Sequence, residues 1–156
     1  MTEPTPFALS QLFSNLIDRD VKFVRLPGAP PPGKAQILYG TYTQLPAEHT
    51  IVVKAEIPAL ASLAGALLGL PPDDAIERAL EKPMDESLRD AIHEVLNIAS
   101  TALSMDGRVV FNTMTTNRKE LTLNAEFAVD GPSTKPTYKV SIDGDAYGTF
   151  SVLSRS

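Results

Sequence analysis

Asp90-Ala-Ile-His-Glu94-Val-Leu-Asn97 is the stretch on which the reading of this chain turns. It lies within the run from Asp85 to Met105 and sets two carboxylates and a carboxamide at spacing i, i+4, i+7. At about 100° per residue in a helix, these three side chains fall within an arc of about 60°. Thr101 continues the same line, while Leu88, Ala91, Ile92, Val95, Leu96, Ala99, Ala102 and Leu103 take the opposite side. The pattern predicts a long amphipathic helix with its apolar face on a core and a polar ridge outward. Asp85 is placed to cap its start, and Asp106-Gly107 to close it.

The ridge combines two kinds of chemistry on one rigid surface. A carboxylate at Glu94 can dock a cation, and the Asn97 amide can donate and accept hydrogen bonds at once. An amide with both capacities can hold a water in a chosen orientation, which is most of what phosphoryl hydrolysis asks of a protein. The same residues also read as the solvated side of a surface helix, and spacing alone does not separate the two readings.

Working outward, Phe7, Leu9, Leu12, Phe13, Leu16 and Ile17 fit one face of a leading helix, preceded by a frayed stretch at residues 1–6. Val21–Leu26 reads as a strand, and Pro27–Gly33, with four Pro and two Gly, as an exposed turn. Ile37–Thr43 and Thr50–Glu56 read as an antiparallel pair. Pro58 suits the first turn of an apolar helix running to Leu70, ended by Pro71-Pro72. Asp73 is placed to cap a short helix through Leu80. After the ridge helix, Arg108–Thr116, Leu121–Val129, Thr137–Ile142 and Ala146–Leu153 alternate as four strands joined by short turns. No internal repeat is visible. The sum is three main helices, one short helix and about seven strands. That is an α+β fold in one domain over residues 1–156, with a largely antiparallel sheet against amphipathic helices.

Composition removes several function classes. The net charge of −5, without a basic patch carrying interleaved aromatics, argues against nucleic acid as the main partner. The absence of Cys excludes thiolate catalysis and Cys-based metal sites and fits a cytoplasmic location. No basic segment followed by an apolar run marks a secretory signal at the start. The most apolar run, Ile57–Leu70, is too short to span a bilayer, so its Gly65-x-x-x-Gly69 reads as close helix packing. His49 and His93 lack partners at metal-ligand spacing and read as exposed. Asp143-Gly-Asp145-Ala-Tyr-Gly148 lacks the downstream acidic ligand of a calcium loop and reads as a turn. A phosphate loop, a Gly-x-Ser-x-Gly elbow and a His-Glu-x-x-His box are absent.

Asp90-x-x-x-Glu94-x-x-Asn97 on a long helix resembles the signature of the CheC/CheX/FliY family of chemotaxis phosphatases. The order of elements is also similar: a leading helix, a strand, a hairpin, an Ala/Leu/Gly-rich helix, the signature helix and a block of strands. With one signature, the chain looks CheX-like rather than like the duplicated CheC arrangement. Two positions depart from the family pattern. Glu120 stands where the family tends to have Pro, and Ser100 near where it often has Gly.

The resemblance implies hydrolysis of the aspartyl phosphate on a CheY-like response-regulator receiver domain. Glu94 would pair with the receiver's Lys, and Asn97 would enter its site and align a water. Asp90 would add a supporting contact, with Ile98 and Thr101 in the docking patch. The divalent cation (Mg) would belong to the receiver, so the chain would need no cofactor of its own. The family also implies a possible homodimer. A non-catalytic adaptor of the same fold, binding a receiver or dimerising, is the alternative.

Overall fold

The structure is a computed structural model that describes residues 2–28 and 33–155. Residues 29–32, the middle of the expected Pro27–Gly33 turn, lie outside the described residues. The strands are β1 (Val21–Arg25), β2 (Ile37–Gln44), β3 (His49–Glu56), β4 (Val109–Thr115), β5 (Thr137–Ile142) and β6 (Asp145–Ser154). They form one sheet in the order β1-β5-β6-β3-β2-β4, antiparallel at every pairing. The helices are α1 (Pro6–Ile17), α2 (Ile57–Leu67), α3 (Pro72–Ala79), α4 (Glu86–Leu103) and α5 (Leu123–Asp130). This is the expected α+β fold.

Strand alternation decides which helix goes where. Ile51, Val53 and Ala55 of β3 point into a main core with Leu9 and Phe13 of α1, Leu60 and Leu63 of α2, and Ile92, Val95 and Leu96 of α4. Val52, between them, points to the other face, where it joins Tyr39, Leu153, Leu121, Ala125 and Ala128 in a smaller cluster under α5. The sheet is therefore covered fully on one face and partly, by α5, on the other.

The topology contains a repeat that the sequence does not display. Two units, α1-β1-β2-β3 and α4-β4-β5-β6, lie as an internal two-fold pair. Reading the sheet order backwards exchanges β1 with β4, β2 with β5, and β3 with β6. The axis passes between β3 and β6. In this arrangement α4 is the counterpart of α1, and its strand β4 is the counterpart of the opposite edge, β1.

Four local expectations are corrected. Leu121–Val129 is not a strand, so the sheet has six strands: Thr122 accepts a hydrogen bond from the Ala125 amide (3.3 Å) and starts α5. A short turn does not join β4 to the next strand: α5 lies between them, and β4 pairs with β2 at the far edge from β5. Helix α2 stops at Leu67 rather than Leu70. Gly69 turns left-handed (φ 72°), the Leu70 amide bonds the Gly65 carbonyl (2.8 Å), and the Gly69 amide bonds that of Ala66 (3.3 Å). Asp73 does not cap α3, which begins at Pro72 without a side-chain cap; Asp73 and Asp74 lie in its first turn.

The N-terminal residues are tied to the body. Thr2 bonds the Asp106 carboxylate, Glu3 pairs with Arg25, the Pro4 carbonyl accepts from the Tyr138 hydroxyl, and Thr5 caps α1. Phe7, expected on the buried side of α1, is 73% exposed.

Candidate functional site

Helix α4 forms as its sequence dictates. The Asp85 carboxylate accepts from the Leu88 amide at 3.1 Å. Its buried residues are Leu88, Ala91, Ile92, Val95, Leu96, Ala99, Ala102 and Leu103, the eight assigned to that face by periodicity. The helix ends at Leu103, earlier than Asp106-Gly107. The Ser104 hydroxyl donates to the Ser100 carbonyl (2.7 Å) and accepts from the Val109 amide (3.0 Å), which stitches the helix end to the start of β4.

Two features of β2 seat this helix. The buried Tyr42 hydroxyl donates to the Leu96 carbonyl at 2.6 Å. Burial pushes the Tyr42 phenol up, so it stays a neutral donor. Gly40 lets the helix come close, because a Cβ there would sit 3.3 Å from both Leu96 methyl groups. On the β4 side, the His93 ring stands edge-on to Phe111, with centroids 4.8 Å apart. His93 is exposed, as expected. The contact with Phe111 was not legible, since it depends on β4 pairing with β2.

Asp90, Glu94, Asn97 and Thr101 are all exposed on the outer side of α4. Among the described residues, the side chains of Asp90, Glu94 and Asn97 make no hydrogen bond or ion pair. The Ser100 hydroxyl donates to the Asn97 backbone carbonyl at 2.6 Å, not to its side-chain amide. Ile98 is half-buried and packs against the main core at the edge of the ridge. No group of three or more His, Asp or Glu side chains gathers as a metal site among the described residues.

The ridge stands in a negative field. Residues 73–94, covering α3 and the first half of α4, hold eight carboxylates against three cations, a balance equal to the chain's whole net charge of −5. A cation approaching Glu94 is favoured by that field and an isolated anion is not. Glu120, at the position where the resembled pattern has Pro, closes a short 3-10 turn (Arg118–Glu120). Its amide donates to the Asn117 carbonyl (3.0 Å) and its carboxylate accepts from the Thr115 hydroxyl (2.6 Å). Pro has no amide hydrogen to give, so this turn and the family residue are alternatives at that place.

Among solved structures, the chain is similar to the CheX-CheY-BeF3-Mg complex of Borrelia burgdorferi. The TM-score is 0.57 at 11% identity, over 99% of this chain and 100% of that one. It is also similar to Thermotoga maritima FliY, with a TM-score of 0.59 at 13% identity over 94% and 82% of the two chains. A third is the FliG-FliM complex of Helicobacter pylori, with a TM-score of 0.61 at 11% identity over 97% and 87%. The fold is the CheC/CheX/FliY fold. No sequence-family profile matches the chain, and no curated protein matches it by sequence. The CheX-like likeness is thus one of architecture. No helix among the described residues is long and apolar enough to cross a membrane.

Proposed function

We propose that this chain hydrolyses the aspartyl phosphate of a response-regulator receiver domain, with the α4 ridge as the active surface. One observation carries the reading. In a CheX-like fold, the helix that bears Asp90, Glu94 and Asn97 presents all three outward with their side chains unpartnered. A solvated face needs no particular order of groups. Here a cation-docking carboxylate lies one turn from a free carboxamide, on a helix clamped to its sheet by Tyr42.

In the mechanism, Glu94 attracts the receiver's Lys away from the phosphoryl group. Asn97 enters beside the phosphorus and holds a water in line with the bond to be broken, donating to it and accepting from it. Asp90 supports the same cationic contact, and Ile98 and Thr101 border the docked surface. The divalent cation that neutralises the phosphoryl oxygens belongs to the receiver. The acidic field of α3 and α4 favours a receiver whose docking face is basic around its Lys.

The test is the decay of phosphate on purified receiver domains. Wild type shortens its lifetime. Asn97→Ala loses on the order of 100-fold in rate while keeping most binding, because the amide acts on the water. Glu94→Ala weakens both, since stripping one member of an interfacial charge pair costs about 2–5 kcal/mol. An Asn97→Ala protein with the full wild-type rate refutes the mechanism.

A second reading is favoured by two observations. One structure of the same fold is a FliG-FliM complex, and Glu120 stands in place of the family's Pro beside β4. On this reading the chain is an adaptor that binds a receiver through the ridge. It then leaves the phosphate lifetime unchanged while still forming the complex.

A further inference from the structure

Helix α5 is built inside out. Its fully buried contacts with the sheet are made by two small residues, Ala125 and Ala128, with Val129 partly buried beside them, while its two largest apolar side chains, Leu123 and Phe127, face away. Leu123 is 64% exposed and Phe127 46%, and at spacing i, i+4 they form one stripe. A helix serving only to cover the sheet would place Leu and Phe on Tyr39, Val52 and Leu153 and leave Ala outside. The same inversion gives the segment its strand-like pattern. Leu121, Leu123, Ala125, Phe127 and Val129 alternate like one face of a strand, but in a helix that set divides between inside and outside.

The stripe borders an open groove of about 310 Å³ between α5 and the β2–β3 turn, lined by residues including Glu48, Thr50, Asn124, Phe127 and Arg155. The Arg155 guanidinium lies 5.7 Å from the Phe127 ring centroid. At that distance the guanidinium lies over the ring face, and among the described residues no ion pair occupies its N–H groups, which suit a carboxylate. Among the described residues, neither Arg155 nor Glu48 has an ion-pair partner. The two charges give the groove a direction: an incoming carboxylate belongs on the Arg155 side, and apolar side chains belong on Leu123 and Phe127. The neighbouring Arg118 is already committed to Asp130.

We infer that the outer face of α5 and this groove form a docking site for a segment of another protein that carries a carboxylate beside large apolar side chains. The site lies on the opposite face of the sheet from the α4 ridge, so it serves a second partner rather than the receiver. It does not rest on the phosphatase reading.

Three synthetic amphipathic peptides test the inference. They share length and Leu/Phe positions and carry Glu, Gln or Lys at their polar positions; binding is measured by fluorescence polarisation on the full chain. The Glu peptide binds at least tenfold tighter than the Lys peptide. Arg155→Gln abolishes the preference for Glu over Gln. Leu123→Ser weakens every bound peptide by about tenfold or more, the loss of one buried apolar side chain. Because Leu123 is exposed, this variant keeps its fold, which its circular dichroism and urea midpoint check. No binding by any peptide at millimolar concentration overturns the inference, as does equal binding of the Glu and Lys peptides. So does sedimentation showing a dimer that Leu123→Ser dissociates, because the patch is then covered by a second copy.

Discussion

Gly65→Ala tests the packing that supports the ridge helix from behind. An ideal Cβ at Gly65 would lie 2.3 Å from the Ala75 Cβ. Carbon atoms in contact prefer about 3.5–4.0 Å, so α3 would have to retreat by roughly 1.2–1.7 Å. Neither atom is the far end of a flexible side chain, so rotamer changes give no relief. Overpacking of this kind costs about 1–3 kcal/mol, and sometimes more. Replacing this Gly, two residues before the end of α2, with Ala returns at most about 1 kcal/mol of helix propensity. With the clash at the severe end, the expected net loss is about 2 kcal/mol. At this chain length that lowers the melting temperature by roughly 4–8 °C. Adding Ala75→Gly removes the clashing methyl, so in that background Gly65→Ala becomes neutral or stabilising. Urea unfolding of the four proteins in the cycle measures the coupling, expected at about 2–3 kcal/mol. A Gly65→Ala protein as stable as wild type, or a coupling below about 0.5 kcal/mol, would refute the close α2–α3 packing.

Tyr42→Phe removes the bond to the Leu96 carbonyl but leaves no buried group stranded, because the helix ladder already uses that acceptor. The expected loss is about 0.5–1.5 kcal/mol with an unchanged urea m-value, and a loss above 3 kcal/mol would show that Tyr42 does more than pin α4. Asp143 bonds the Arg19 guanidinium and the Asp20 amide, which hold its carboxyl below the usual carboxylate range. A depressed folded pKa contributes stability fully above the unfolded value of about 3.9 and loses it as pH falls through the folded value. The melting temperatures of wild type and Asp143→Asn therefore differ at pH 6 and converge towards pH 2. Asn tolerates the left-handed backbone at this position, so a gap that persists in acid would assign the effect to something other than the ion pair.

What was legible in the sequence follows from how local its cause is. Helix α4 has 18 residues, enough turns for the apolar period to be unambiguous, and its eight buried residues are those the period assigns. The eight-residue α5 has barely two turns, and the same letters satisfied a strand period until the Thr122 cap and the sheet beneath it decided the matter. The two glycines of Gly65-x-x-x-Gly69 serve different ends. Gly65 is the close-packing glycine, whereas Gly69 has no atom within 4 Å of its would-be Cβ and serves only to turn the chain. Strand order was beyond local reach, because β4 and β5 find β2 and β1 through the two-fold arrangement rather than through each other. The candidate site shares this division. Its spacing and outward aim are local and were legible. Its neighbours, with Phe111 beside His93 and the Glu120 turn at the end of β4, come from a strand placed by long-range pairing. A ridge and a solvated face have the same periodicity, so only chemistry can separate them. On the proposed phosphatase reading, receiver turnover would depend on which of Glu94 and Asn97 is removed; a solvated face would be indifferent to both.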